Sequence, residues 1–250
     1  MLSTVNHAHS AFAAVAGMKP QLSTLDEVFA SVPRESLEVG EGLFWQGDRA
    51  QHVFEVTEGV LRIFKIIGDG RRVITGFLYA GDMVGLSLKD IYIYSAEAVT
   101  PVKVRRLTRK AFQDAIENAP ELRPQLFALL CDEMAAAQDQ MVLLSRKSAE
   151  ERVCSFLMLI ARRMHGAQQI GRIIQLPMSR QDMADYLGLT IETVSRTITR
   201  LISRGVITPN GRHAFDIAKP GKLLALCGDG DSYEDLCEGS LKTRQAVWPH

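Results

Sequence analysis

The sequence predicts an α+β chain in three parts: a β-rich N-terminal half, one long helix, and a C-terminal unit of two short helices followed by a β-hairpin. Three observations carry this. From about residue 35 to 107, short runs rich in Val, Ile, Phe and Tyr alternate with glycine turns. From Pro120 to about Ser145 the apolar spacing becomes helical, and Met178 to Phe215 holds two capped helical stretches separated by a single turn glycine.

The C-terminal stretch is the most informative. Ser179 is a good N-cap, Met183, Ala184 and Leu187 repeat at helical spacing, and Gly188 stops the helix with a residue that tolerates positive φ. Thr190 then opens a second helix with the apolar face Ile191, Val194, Ile198, Leu201 and Ile202, closed by Gly205. Two short helices this close must turn sharply, which is the helix-turn-helix arrangement that places its second helix in the DNA major groove.

Off that apolar stripe, Glu192, Ser195 and Arg196 are expected on base edges. Arg can bond guanine through two donors, Glu can accept from the cytosine amino group, and Ser can do either. Ser179, Arg180, Thr190, Thr193, Thr199, Arg200, Arg204 and Arg212 are expected on the DNA backbone, where they position without reading sequence. The competing reading is a solvated face with an ordinary i,i+4 pair between Glu192 and Arg196. Val206 to Thr208 and Arg212 to Ile217 flank Asn210-Gly211, which predicts a two-residue type I′ hairpin and hence a winged helix. Arg172 to Lys222 holds eight Arg or Lys against four Asp or Glu, while the whole chain balances at 29 against 29, so positive charge gathers where DNA would lie.

Ile191-Glu-Thr-Val-Ser-Arg196, following Leu187-Gly-Leu-Thr190, resembles the recognition helix of the Crp/Fnr family of bacterial transcription regulators. The Glu, two residues, Ser-Arg form is that of the Fnr and FixK branches. The resemblance extends through Leu144-Ser-Arg-Lys-Ser-Ala-Glu-Glu-Arg152 and Glu41-Gly-Leu-Phe-Trp-Gln-Gly-Asp48, covering roughly residues 35 to 225. It implies a cyclic-nucleotide-binding-like β-barrel (jelly roll), a long dimerisation helix and a C-terminal winged helix-turn-helix. Fnr-type oxygen sensors hold an iron-sulfur cluster through cysteines near the N-terminus, and this sequence has no Cys before Cys131. The resemblance is therefore to the FixK-like branch, and no cofactor is expected.

At 250 residues, 46% hydrophobic and 23% charged, the chain is long enough for one or two domains with proper cores. Four widely spaced cysteines form no CxxC pair, which argues for a reducing, cytoplasmic setting. No run approaches the roughly 20 apolar residues that span a bilayer, so no membrane partner is expected. Ala11 to Met18 is apolar but short, with no Lys or Arg before it, unlike a signal peptide.

Residues 1–22 read as a mobile tail whose His7 and His9 lack further metal ligands. Residues 23–118 form the sensor-like barrel, with strands expected at Val53 to Thr57, Val60 to Ile67, Val73 to Tyr79, Ile91 to Val99 and Val102 to Leu107. Gly68-Asp69-Gly70 marks a hairpin tip. In cAMP-binding relatives of the family a Gly-Glu-Leu run holds the ribose and an Arg holds the phosphate. Here Val84-Gly85-Leu86-Ser87 lacks the Glu and Tyr94 stands in place of the Arg, so cyclic nucleotide binding is not expected. A metal-dependent cupin enzyme needs clustered His and carboxylates, but His52 is the only histidine between residues 20 and 164. Catalysis is not expected.

Thr108 caps a short helix to about Glu117. Residues 119–147 form the long helix, along which Phe127, Leu130, Met134, Ala137, Met141 and Leu144 alternate three and four apart as a homodimer seam. A stripe packed on its own barrel is the alternative, whereas two reading helices about 34 Å apart on DNA require a dimer. Residues 148–226 form the DNA-binding domain, opened by a Ser148/Glu151 capping box with a hinge near Ser145 to Ser148, and Arg172 to Gln175 is expected as a small strand. Residues 227–250 read as an acidic tail. Cys154 and Cys131 are candidate redox switches, with Arg152 a possible helper to Cys154, although a buried inert thiol is the commoner case. Cys227 and Cys237 lie in or near the tail, where exposure is expected.

The reading is a FixK-like activator that binds a TTGAT-like palindrome as a homodimer, contacts RNA polymerase, and serves low-oxygen respiration or nitrogen metabolism. The alternative keeps the DNA-binding half but gates it by a barrel ligand or by thiol oxidation.

Overall fold

A computed structural model describes residues 22–87, 89–165, 173–211 and 213–228. The expected N-terminal tail with His7 and His9, the acidic stretch after Gly228, Cys237, Arg172 and Arg212 lie outside the described residues.

Helix α1 (Leu25–Phe29) precedes eight strands: β1 (Arg34–Leu37), β2 (Gly42–Phe44), β3 (His52–Glu58), β4 (Leu61–Ile66), β5 (Arg72–Leu78), β6 (Met83–Val84), β7 (Ser95–Ala98) and β8 (Val102–Thr108). They pair antiparallel into two four-stranded sheets, β1-β8-β3-β6 and β2-β7-β4-β5. Leu37, Phe54, Val56 and Val104 from one sheet meet Phe44, Leu61, Ala96 and Ala98 from the other in one core, as in a jelly roll. The β3–β4 turn requires Gly59, whose φ is +85° and where a Cβ would lie 2.2 Å from the Pro101 carbonyl.

Two details differ from the sequence expectation. The strand predicted from Ile91 to Val99 is regular only at Ser95–Ala98. Before it, Ile91 makes an isolated bridge to Arg49, and Tyr92 and Tyr94 send their hydroxyls to backbone groups of His52 and Gly85, so side chains take bonds that a ladder would otherwise make. Strands β1, β2 and β6 lacked a clear apolar signal because they are short and, in β1, mostly exposed.

Thr108 caps α2 (Arg109–Asn118) by accepting from the Ala111 N–H at 3.2 Å. Helix α3 (Leu122–Arg146) lays Leu122, Leu126 and Leu129 against α1, α2, Val53 and Met83. Lys147, at ψ 141°, ends it, and α4 (Ala149–His165) begins on the Ser148/Glu151 pair, whose carboxylate accepts from the Ser148 N–H at 2.6 Å. There follow β9 (Ile173–Gln175), α5 (Arg180–Leu187), α6 (Ile191–Ser203), β10 (Ile207–Pro209), β11 (Ala214–Ile217) and α7 (Pro220–Ala225), with the three strands ordered β10-β11-β9.

The wing corrects the predicted two-residue turn. Pro209 pairs with Phe215, and the Asn210 N–H donates to the Ala214 carbonyl at 2.9 Å, so the connection is longer. Register is set from outside the hairpin: Phe215 and Ile217 must face the core while β11 also pairs with β9. Cys227, expected to be exposed, is fully buried, and its thiol donates to the Leu223 carbonyl at 3.3 Å.

One apolar cluster crosses between the halves. Val60, Phe64, Ile74 and Phe77 of the barrel join Phe156, Met183, Tyr186 and Leu187 of the reader. Phe77, Phe156 and Tyr186 form a ring trio with centroids 5.4–6.1 Å apart.

Candidate nucleic-acid interface

Helix α5 is held at both ends by its own sequence. The Ser179 hydroxyl accepts from the Asp182 N–H at 3.0 Å, and the Asp182 carboxylate accepts from the Ser179 N–H at 3.1 Å, a reciprocal cap. Gly188 adopts the left-handed region at φ 62°, ψ 39°, which reverses the chain within two residues. Thr190 then caps α6 by accepting from the Thr193 N–H at 3.2 Å. Val194, Ile198 and Leu201 are buried beneath α6, joined by Thr197, whereas Ile191 is 38% exposed, so the packed face is narrower at its start than the apolar spacing implied.

The opposite face presents Glu192, Ser195, Arg196, Thr199 and Arg200, all exposed. The Glu192 carboxyl is held below its ordinary value, first by its own backbone N–H, then by the Thr190 hydroxyl and the nearby Arg196. It is therefore a carboxylate at neutral pH, able to accept from a cytosine amino group. The Thr199 hydroxyl bonds back to the Ser195 carbonyl at 3.0 Å.

The remaining expected backbone contacts are placed unevenly. Ser179, Thr190 and Arg200 are exposed and Thr193 is half-buried beside Thr190. Arg180 lies with its guanidinium 5.3 Å from the Phe215 ring centre, its pKa lowered by burial, and so bridges α5 to the wing. Arg204 reaches α4, where it pairs with Glu150 at 2.8 Å.

On α3 the proposed seam is an exposed stripe: Phe127, Met134 and Met141 are each at least 60% exposed, with Leu130, Ala137 and Leu144 also exposed. Among the described residues only Leu122 of this helix is buried. Cys131, beside the stripe, is half-buried. Cys154 is fully buried, its thiol pushed up to about 12 by burial and the neighbouring Cys227. Arg152 gives it no help, because its guanidinium is bonded to three backbone carbonyls. A reactive thiolate needs the opposite setting, exposed and with a depressed pKa.

The barrel interior is aromatic. Phe44 stacks on Tyr92 at 3.9 Å between ring centres and touches Phe54 and Tyr94. Burial pushes the Tyr94 phenol up to about 12, and its oxygen accepts from the Gly85 N–H at 3.3 Å.

Sequence reasoning did not foresee the charged seam between barrel and reader, where Arg62 and Arg72 meet Asp182 and Asp185. The only signal in the sequence was an acid at the third position of α5, which is legible as a cap and not as a partner for arginines more than 100 residues away.

A jelly roll, a long exposed-stripe helix and a capped helix-turn-helix with a wing define a DNA-binding regulator. The profile of the cyclic nucleotide-binding domain matches residues 34–119, and that of the Crp-like helix-turn-helix domain matches residues 151–226. The chain is 43% identical over 168 residues to the nitrogen fixation regulation protein FixK of Bradyrhizobium diazoefficiens, covering 67% of this chain and 71% of that protein. It is 41% identical over 187 residues to the transcriptional activatory protein AadR of Rhodopseudomonas palustris, covering 74% and 78%. The structure of FixK2 from Bradyrhizobium japonicum superposes with a TM-score of 0.73 at 33% identity, covering 78% of this chain and 96% of that one. The chain belongs to the Crp/Fnr family of transcription regulators, with FixK proteins among its relatives. Among the described residues no helix is long and apolar enough to cross a membrane.

Proposed function

We propose that this protein is a FixK-like transcription activator that binds a TTGAT-like palindrome as a homodimer in the cytoplasm and recruits RNA polymerase. The observation that carries the reading is the exposed face of α6, where Glu192, Ser195 and Arg196 stand together off a buried apolar stripe. These three read base edges, while Ser179, Thr190, Thr193, Thr199, Arg200, Arg204 and Arg212 serve the phosphates, with Arg180 holding the wing beside them.

Homodimerisation through Phe127, Leu130, Met134, Ala137, Met141 and Leu144 is supported by their exposure on one helix, an arrangement that favours a second copy. In this reading residues 23–118 are the barrel, 119–147 the dimer helix and 148–226 the reader. Relatives named for nitrogen fixation regulation and transcriptional activation support a role in nitrogen metabolism, to which the FixK-like recognition helix adds low-oxygen respiration. The barrel works without a nucleotide, because Tyr94 stands where the phosphate-binding Arg would and packs with Tyr92 around Phe44 in the interior.

The test is fluorescence anisotropy of the reduced, purified protein with a palindromic TTGAT duplex and a scrambled one, at one stated salt concentration and without added ligand. Tight, selective binding in air is expected. Weak or unselective binding, restored by a nucleotide or by an oxidant, would replace this reading with a gated regulator.

A further inference from the structure

Asp182 faces two ways. Its Oδ2 accepts from the Ser179 N–H and hydroxyl at 3.1 and 2.7 Å and so caps the first reader helix. Its Oδ1 accepts from Arg62 at 3.1 Å and Arg72 at 2.7 Å, both on the barrel. Arg72 also donates from Nε to Asp185 at 2.9 Å, one turn further along α5, and Arg62 binds Glu97 on its own sheet. The cluster is mostly shielded: the Asp182 side chain is 5% exposed, Arg62 and Asp185 14% each and Arg72 25%. The Arg62 Nε is buried without a partner, so the cluster is not fully satisfied.

We propose that Arg62 and Arg72 with Asp182 and Asp185 form an inter-domain latch that holds the reader in its DNA-binding orientation on its own barrel and keeps two carboxylates of α5 from repelling phosphate. A charged cluster of this kind adds little net stability over apolar packing, but removing one partner leaves the others uncompensated, so it specifies one arrangement. The edge-to-face and tilted rings of Phe77, Phe156 and Tyr186 supply the undirected attraction beside it, and the cations give the direction. With the latch closed, Glu192, Ser195 and Arg196 remain exposed, as a reading orientation requires. Helix α5 is the one that crosses the DNA backbone in this fold, so an uncovered Asp185 would lie in the phosphate field. The proposal rests on the reader binding DNA and not on which sequence it prefers.

The test uses the full chain with Arg72→Gln, Asp185→Asn and both together. Amide hydrogen exchange without DNA should speed up in β5 and the first turn of α5 for each single variant, with the double no faster than the faster single, as coupled partners require. In anisotropy, Arg72→Gln should bind the palindromic duplex about fivefold more weakly, the lower end of coupling between sites. That loss should shrink at high salt, and Asp185→Asn in the same chain should recover part of it. Unchanged exchange in both single variants, additive effects, or tighter DNA binding by Arg72→Gln would overturn the latch. If exchange responds as stated while the unaltered protein fails to separate palindromic from scrambled DNA, the latch stands and the proposed target site falls.

Discussion

Arg152 of α4 donates from Nη1 to the Leu187 carbonyl at the C-terminus of α5, 3.0 Å away. The same guanidinium donates from Nε to Lys147 at 2.9 Å and from Nη2 to Leu144 at 2.8 Å. One cation therefore ties the last turn of the long helix, the hinge and the end of the first reader helix, and it sits where two helix C-termini concentrate partial negative charge.

Replacing Arg152 by Ala should destabilise the reader by about 1–3 kcal/mol, since three carbonyls lose a charged donor. Lys should not restore it, because a single ammonium cannot span three acceptors in a plane as the guanidinium does. Urea unfolding followed by circular dichroism checks this, and a Lys variant as stable as the original would show that charge alone suffices.

Arg196→Ala should cost roughly 1–3 kcal/mol per half-site and relax selectivity at one base pair. Arg204→Ala should instead weaken palindromic and scrambled duplexes alike and flatten the salt dependence. Competition anisotropy at two salt concentrations separates the two, and intact specific binding by Arg196→Ala would mean that the docking register is different.

Met134→Asp should shift the protein from dimer to monomer in sedimentation, because two opposed seams would bury like charges. Palindrome binding should fall with it, while melting of the monomer changes little, since Met134 is 60% exposed in one chain. A dimer that survives Met134→Asp together with Phe127→Asp would place the contact elsewhere.

Stability should fall at alkaline pH. The Cys154 thiol is raised by burial from 9.0 to about 12, and the Tyr79, Tyr94 and Tyr186 phenols from 10.0 to about 12. A raised folded-state pKa means the unfolded chain gives up these protons first, so their contribution is complete below about pH 9 and is lost as pH climbs toward 12. Thermal melts across this window should show Tm declining. The Cys154 thiol should react with iodoacetamide only after unfolding, and fast alkylation in the native state would contradict its burial.

Much of the reader was legible in the sequence because its determinants are local. Ser179, Gly188 and Thr190 act within four residues of themselves, and helical periodicity placed Val194, Ile198 and Leu201 beneath an exposed Glu192, Ser195 and Arg196. The exposed stripe from Phe127 to Leu144 was legible for the same reason.

What tertiary structure decided involves partners distant in sequence. The wing's register follows from β9 and the core, not from Asn210-Gly211, and the Ile91 to Tyr94 run gives up its ladder for bonds made by the buried Tyr92 and the half-buried Tyr94. Cys227 is buried against an apolar cluster that its neighbours in the chain do not announce. Above all, Arg62 and Arg72 find Asp182 and Asp185 only once barrel and reader share a core. Local propensity acts over a turn or two of chain, whereas charge pairing across domains depends on where the folded chain brings its surfaces together.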